Sequence, residues 1–259
     1  MNHSERQEEL SEGMNFVLGG RSIGSVLGRS GGAAGNGLLT GLVAYWALNE
    51  ASGNAIDLHS GGLTLTAANA PGAAAGQVYA TARTFNGASQ YFSRASESAL
   101  QTGDIDFAMS GWFLLSANTG YRPIVSKWGA AGNREWLLYY DKDFNKITMQ
   151  ISANGTTQPY LPAATTADLN TWAMFCAWHD ATANKIYLQI NGGTVAELAH
   201  TGGAYIGTAD MMIGKLNAAS EYWPGRIGPI AFWKNRTLSA DDRTLLWNGG
   251  AGLAYSGFS

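Results

Sequence analysis

Hydrolysis of a glycosidic bond needs two carboxyl groups, ~5–5.5 Å apart for retention and roughly 6.5–9.5 Å apart for inversion. Residues two apart on a strand face the same side, so an acidic residue followed two positions later by Asp is a simple way to aim two carboxylates at one sugar. After residue 40 two such steps occur, Asp104/Asp106 in "TGDIDF" and Asp141/Asp143 in "YYDKDFNK". None of Glu50, Glu97, Glu135, Glu197 and Glu221 has an Asp two positions later. The second step reads as a solvated hairpin turn, whereas the first could line the end of a sheet. The expectation is a protein that is not an enzyme, with no catalytic residues to name.

Other chemistry is equally sparse. His3, His59, His179 and His200 are scattered without metal-ligand spacing. Cys176, the single cysteine, lies in "MFCAWH" and reads as a small buried hydrophobe, so no intramolecular disulfide forms. Calcium wants several oxygen ligands, preferably carboxylates. The run Asp141-Lys-Asp143-Phe-Asn145 mimics the start of a calcium loop, without the later Gly and bidentate Glu. No cofactor is certain, and calcium stays an open alternative. Sugar binding asks instead for an aromatic plate beside amide or acid groups. Trp128 in "SKWGAAGNRE" and Tyr222-Trp223 in "ASEYWPG" lie in Gly- or Pro-containing loops, with Arg134, Glu135, Asn217 and Glu221 close in sequence. These seven form the candidate glycan rim. The competing reading folds the same aromatics over a sheet edge or onto a partner subunit.

The elements that must position such residues are strands. From Leu42 onward, runs such as "LVAYWAL", "EWLLYY", "ITMQI", "WAMFCAW" and "IYLQI" are short and rich in β-branched and aromatic types. Ile147-Thr-Met149-Gln-Ile151 alternates strictly, as a half-buried strand should. "DKDFNK", "SANGTT", "HDATANK" and "NGGT" are turn-like breaks. The expectation is an all-β, two-sheet antiparallel jelly-roll sandwich over 41–259. A short C-terminal helix, "ADDRTLLW", closes it, with Ser239 as N-cap, Asp241 and Asp242 in its first turn, an apolar side of Leu245, Leu246 and Trp247, and Gly249-Gly250 as the stop. Trp46, Trp112, Trp172, Trp233 and Trp247 are expected in the core.

Residues 1–40 differ. Ten glycines run from Gly13 to Gly41, both included, interspersed with Phe16, Val17, Leu18, Ile23, Val26 and Leu27. Such a segment is either a flexible leader or an extended arm that orders on a partner subunit of an assembly, and its repeated apolar residues favour docking. A net charge of −3 with no clustered basic run excludes a nucleic-acid binder. No stretch approaches a membrane span, which excludes membrane insertion, and no apolar segment with a cleavage site follows the charged N-terminus.

The order of the runs resembles the laminin G-like, concanavalin A-like jelly-roll domains, of the kind seen in bacteria and bacteriophages, over about residues 41–255. "GLVAYWALNEASGNAIDLHSG" is similar to the family's opening strand, "ARTFNGASQYFSRASESAL" to its Phe-Asp-Gly-x-Asp-Asp-Tyr segment and "IDFAMSGWFLLS" to the strand that follows. "LNTWAMFCAWHDATANKIYLQING" resembles its Trp…Leu-Tyr-x-Asn-Gly hairpin, and "GRIGPIAFWKNRTLSADD" its last strand and final helix. The resemblance implies calcium ligands in the Phe-Asp-Gly segment, which here carries Asn86 and Gln90 where acids would stand. It also implies a Glu-x-Asp-x-x-Glu strand in the glucanases, which this chain lacks. The expected function is therefore a non-enzymatic structural or decoration protein of a larger assembly such as a phage virion. Its arm would anchor it, and a lectin-like jelly roll would face outward toward surface polysaccharide. A stand-alone carbohydrate-binding module is the alternative, and a glycosidase the third reading. The expected location is the virion surface, or otherwise the cytoplasm or non-classical export.

Overall fold

The structure, a computed structural model, describes residues 37–59, 62–217 and 219–259. The proposed arm residues Phe16, Val17, Leu18, Ile23, Val26 and Leu27 lie outside the described residues. In chain order the strands are β1 (Leu42–Trp46), β2 (Thr66–Ala68), β3 (Gly72–Ala75), β4 (Thr81–Asn86), β5 (Tyr91–Arg94), β6 (Phe107–Leu115), β7 (Arg122–Trp128) and β8 (Arg134–Asp141). There follow β9 (Lys146–Ile151), β10 (Leu161–Pro162), β11 (Trp172–Asp180), β12 (Lys185–Ile190), β13 (Ala196–Ala199), β14 (Met211–Ile213), β15 (Pro224–Lys234) and the helix α1 (Ala240–Trp247). One sheet runs β13-β12-β11-β6-β15-β4-β3, with β1 paired to the other half of the edge of β15 that β4 occupies. The second runs β10-β9-β8-β7-β14-β5-β2. Every pairing is antiparallel, as the jelly-roll expectation requires.

Alternation explains the layering. On β8, Trp136, Leu138 and Tyr140 enter the core between the sheets, while Leu137 and Tyr139 turn to the outer face. On β11, Ala173, Phe175 and Ala177 face in, and Met174, Cys176 and Trp178 face out. Gly225 holds φ at +123°, where a Cβ would sit 2.1 Å from the Leu114 carbonyl oxygen, so only glycine lets β15 lie this close to β6.

The first sheet's outer face is sealed by the chain's own end. Trp247 of α1 stacks on Trp112 with ring centroids 5.3 Å apart, and Phe258 stacks on Trp233 at 6.1 Å. The Arg243 guanidinium lies 4.6 Å from the Trp178 ring. The helix begins in a complete capping box: the Ser239 hydroxyl accepts from the Asp242 amide at 3.1 Å, and the Asp242 carboxylate accepts from the Ser239 amide at 2.9 Å. It ends at Asn248, in the left-handed region, one residue before the glycines expected to stop it. Leu246 is buried against the sheet, but Leu245 points to solvent, so the apolar side is narrower than expected. Trp172 and Trp247 are half-buried, not core, because they cover a face instead of filling the interior. Cys176 is fully buried, and burial pushes its thiol up to about 12.

Candidate functional site

Among the described residues the second sheet's outer face has no such cover. Where β7, β8, β9 and the segment leading into β10 meet, it holds an open groove of about 380 Å³. Trp128, Leu137 and Tyr139 are nearly fully buried and make its base, with Tyr121 and Leu216 packed against them. Phe144 and Tyr160 stand at its side with ring centroids 6.1 Å apart, each about half exposed. Pro123, Asp141, Asp143, Gln150, Gln158 and Glu221 complete the lining. Strand alternation puts Leu137, Tyr139 and Asp141 in one row, and Gln150 joins them from β9.

The polar groups are held in a chain. Gln150 Nε2 donates to the Tyr139 hydroxyl at 3.1 Å, which donates to Asp141 Oδ2 at 2.7 Å. The Asp143 amide donates to Asp141 Oδ1 at 2.9 Å. Tyr121 donates to Asp143 Oδ2 at 2.5 Å, and Lys142 reaches the other oxygen of Asp143. Burial, helped by the Asp141 carboxylate, raises the Tyr139 phenol far above its ordinary range, so it stays protonated. Hydrogen bonds from Lys142 and Tyr121 hold Asp143 below the usual carboxylate range. Burial raises Glu221 against the opposing charge of Arg122. The arrangement therefore presents aromatic faces beside fixed oxygen acceptors, which suits hydroxyl-bearing ligands.

Of the seven predicted rim residues, only Trp128 and Glu221 line this groove, and Trp128 does so as its base. Trp223 is fully buried between the sheets, edge-on to Phe113 at 5.7 Å, with its indole N–H on the Arg226 carbonyl. The Pro224 that suggested a loop is instead the first residue of β15. Glu135 is also fully buried, 3.0 Å from Lys127 Nζ. Burial pushes it up to about 7 despite that cation. Arg134 caps the Trp128 ring at 5.7 Å and donates to the Thr156 carbonyl outside the groove. Tyr222 packs on Tyr91 and Lys215, and Asn217 sits exposed in a turn, neither in the lining. The aromatics that prediction passed over were legible in part. "EWLLYYD" is large on both faces, a signal that its outer side must be covered or must bind.

The calcium candidates fall in two different turns. Asn86 Oδ1 accepts from the amides of Ala88, Ser89 and Gln90, and Gln90 Oε1 accepts from the Asn86 amide, so the amides that replace the expected acids close their own turn. Both oxygens of Asp141 and of Asp143 already accept hydrogen bonds. Among the described residues no group of three His, Cys, Asp or Glu is placed to hold a metal ion. These residues do not fit a calcium site.

A family model described as the concanavalin A-like lectin/glucanases superfamily matches residues 54–242. The chain belongs to that superfamily. Among solved structures, this concanavalin A-like domain is similar to the binding domain of Paraclostridial Mosquitocidal Protein 1, at 13% identity and a TM-score of 0.66, covering 82% of this chain and 53% of that one. It is similar to domain 4 of AbnA, a GH43 extracellular arabinanase from Geobacillus stearothermophilus, in complex with arabinotriose, at 14% identity and a TM-score of 0.58, covering 78% and 96%. The binding domain of Botulinum Neurotoxin DC in complex with SialylT gives 10% identity and a TM-score of 0.60, covering 82% and 52%. The concanavalin A-like domain thus spans about half the length of the two toxin chains and nearly all of the arabinanase domain. At these identities the likeness establishes the fold alone. No curated protein matches the chain.

Proposed function

We propose that this domain is a non-enzymatic, lectin-like module that binds glycans in the groove on the outer face of its second sheet. The observation that carries the reading is the groove itself: two half-exposed aromatic rings beside a fixed row of acceptors, on a face left open while its counterpart is sealed. Support comes from the arabinanase domain, which has the same fold, covers nearly its whole length in the alignment and is described with a bound arabinotriose. Asp141 and Asp143 each accept two hydrogen bonds from within the protein, and Glu221 is the groove carboxyl that burial raises, so a hydrolytic reading would put its general acid there. A glycan array with the full chain tests the reading. Retention of defined oligosaccharides, lost in Tyr160→Ala and Phe144→Ala, is the expected result. A blank array, or retention unchanged in both variants, overturns it, and release of new reducing ends that stops in Glu221→Gln would make the domain a glycosidase.

The same proposal puts the module on the surface of a larger assembly, such as a phage virion, held through its N-terminal arm of residues 1–40, of which 1–36 precede the described residues. What supports this is the grip on the segment that follows. Trp233 Nε1 donates to the Leu38 carbonyl at 2.7 Å, and Arg236 donates to the carbonyls of Gly37 and Thr40 while pairing with Asp242 at 2.7 Å. Tension on the chain entering the domain would reach the central strand β15 and its closing helix. Removing residues 1–36 should abolish assembly and leave glycan retention intact. Loss of both together would reject the division of labour.

A further inference from the structure

Taking the groove as a glycan site, we infer that it selects uncharged or cationic glycans and rejects those bearing carboxylates. Three of its polar lining residues are acids, Asp141, Asp143 and Glu221, and the others are amides and phenols. Among the described residues no Lys or Arg belongs to the lining. Three cations border the groove without entering its lining, and each is already engaged. Lys142 pairs with Asp143 and lies over the Tyr121 ring at 5.0 Å. Arg122 donates to the Tyr222 carbonyl at 3.2 Å and to Thr119. Arg134 donates to the Thr156 carbonyl at 2.7 Å and caps Trp128 from outside.

A carboxylated sugar is normally recognised by a guanidinium fork or a cluster of N–H donors. This groove offers neither in its lining, and its side-chain oxygens are chiefly acceptors. A neutral sugar brings hydroxyl donors that such acceptors can use. A sialic or uronic acid brings a negative charge against like charges on a surface of lowered dielectric, where repulsion penalises the wrong partner. An amino sugar gains from the same field. The fixed geometry sharpens the discrimination, because Asp141 is held by Tyr139 and the Asp143 amide and cannot turn away without breaking those bonds.

Matched pairs of ligands separate charge from shape. Oligogalacturonate and its carboxyl-reduced form share linkage and stereochemistry, as do the neutral oligosaccharides retained on the array and their C6-oxidised derivatives. Lactose with sialyllactose adds a third pair. By calorimetry with the full chain at low salt, the neutral member should bind at least tenfold more tightly than its acid. The gap should narrow in 0.5 M NaCl, and Asp143→Asn with Glu221→Gln should raise affinity for the acid member. Equal or tighter binding of the acids, or a gap indifferent to salt and to removal of those charges, overturns the selectivity while leaving a glycan site in place. If neither member of any pair binds, the glycan reading has failed and the selectivity fails with it.

Discussion

The two outer faces of this sandwich carry similar chemistry and have opposite fates. Both present large aromatics at alternate strand positions, Trp112, Trp178 and Trp233 on the first sheet and Tyr139 on the second, with Trp128 at the end of β7. On the first sheet the chain returns as α1 and a C-terminal segment, and Trp247 and Phe258 stack on what would otherwise be a bare apolar surface. On the second sheet no element of the described chain does this. Its aromatics pack on one another and on Leu137 and Leu216, with Phe144 and Tyr160 beside them at the surface. An apolar strand face is therefore not by itself evidence of a site. What distinguishes the site is an aromatic face that the described residues leave without cover and furnish with fixed acceptors.

The sealed face should break first as a structural unit. Trp112→Ala removes a nearly fully buried ring and its stacking partner's support, and should cost about 4 kcal/mol. The melting temperature should fall sharply while glycan affinity, measured where the variant is still folded, stays within twofold. A comparable loss of affinity without loss of stability would mean that the sealed face also binds.

A second contrast lies within the second sheet's own hairpin β7–β8. Trp128, Leu137 and Tyr139 open to the groove, while Lys127 and Glu135, each next in sequence to the residue that ends its strand at the turn, form a buried pair. Lys127 Nζ also donates to Ser96 Oγ at 2.9 Å and to the Ala209 carbonyl at 2.8 Å. Glu135 has a folded pKa of about 7, above the ordinary 4.5. Between those values the folded state holds more protons than the unfolded one. Its contribution to stability is thus fully present below about pH 4.5 and is lost as pH rises through about 7. Glu135→Gln should flatten that slope in denaturant titrations. Lys127→Met should strand the carboxylate and cost about 3 kcal/mol at pH 8, with most of the loss recovered at pH 5, where Glu135 is protonated. A loss independent of pH would show that Lys127 matters for its packing alone.

Much of this was legible beforehand, and the exceptions share a cause. Ser239, Asp242 and the strand alternation are local signals, and they reappear as the capping box and the two-layer core. Trp223 and Glu135 misled because loop composition says nothing about what crosses above a loop. Trp223 enters the core because β15 begins at Pro224 and carries the chain between its neighbours. Glu135 is buried because Lys127, eight positions earlier and across a bulged hairpin, is brought to it. The groove is harder still to foresee. Tyr121, Tyr139, Phe144 and Tyr160 come from four separate stretches, and only the register of β7, β8 and β9 gathers them. That no element among the described residues covers the groove is a property of topology that no residue on its floor encodes.

Removal of metal should have no effect. With the oxygens of Asn86, Gln90, Asp141 and Asp143 all accepting hydrogen bonds from the protein, glycan retention should be the same in calcium and in chelator. Loss in chelator would mean that a cation enters by displacing the Tyr121 or Lys142 contacts to Asp143.

The smallest structural effect should accompany the clearest functional one. Tyr160 is about half exposed and touches Phe144 at the groove's edge, so Tyr160→Ala should change stability by no more than about 0.5 kcal/mol. It should nevertheless weaken glycan binding about tenfold, because stacking on an exposed ring is interaction the folded domain makes only with a ligand. Set beside Trp112→Ala, this gives a double dissociation: one aromatic whose loss is felt by the fold and not by the ligand, and one for which the reverse holds. If Tyr160→Ala instead destabilises the domain by several kcal/mol, the ring is cover after all. The second face would then be sealed by its own loops as the first is by its helix, and the difference between the two faces would be one of degree.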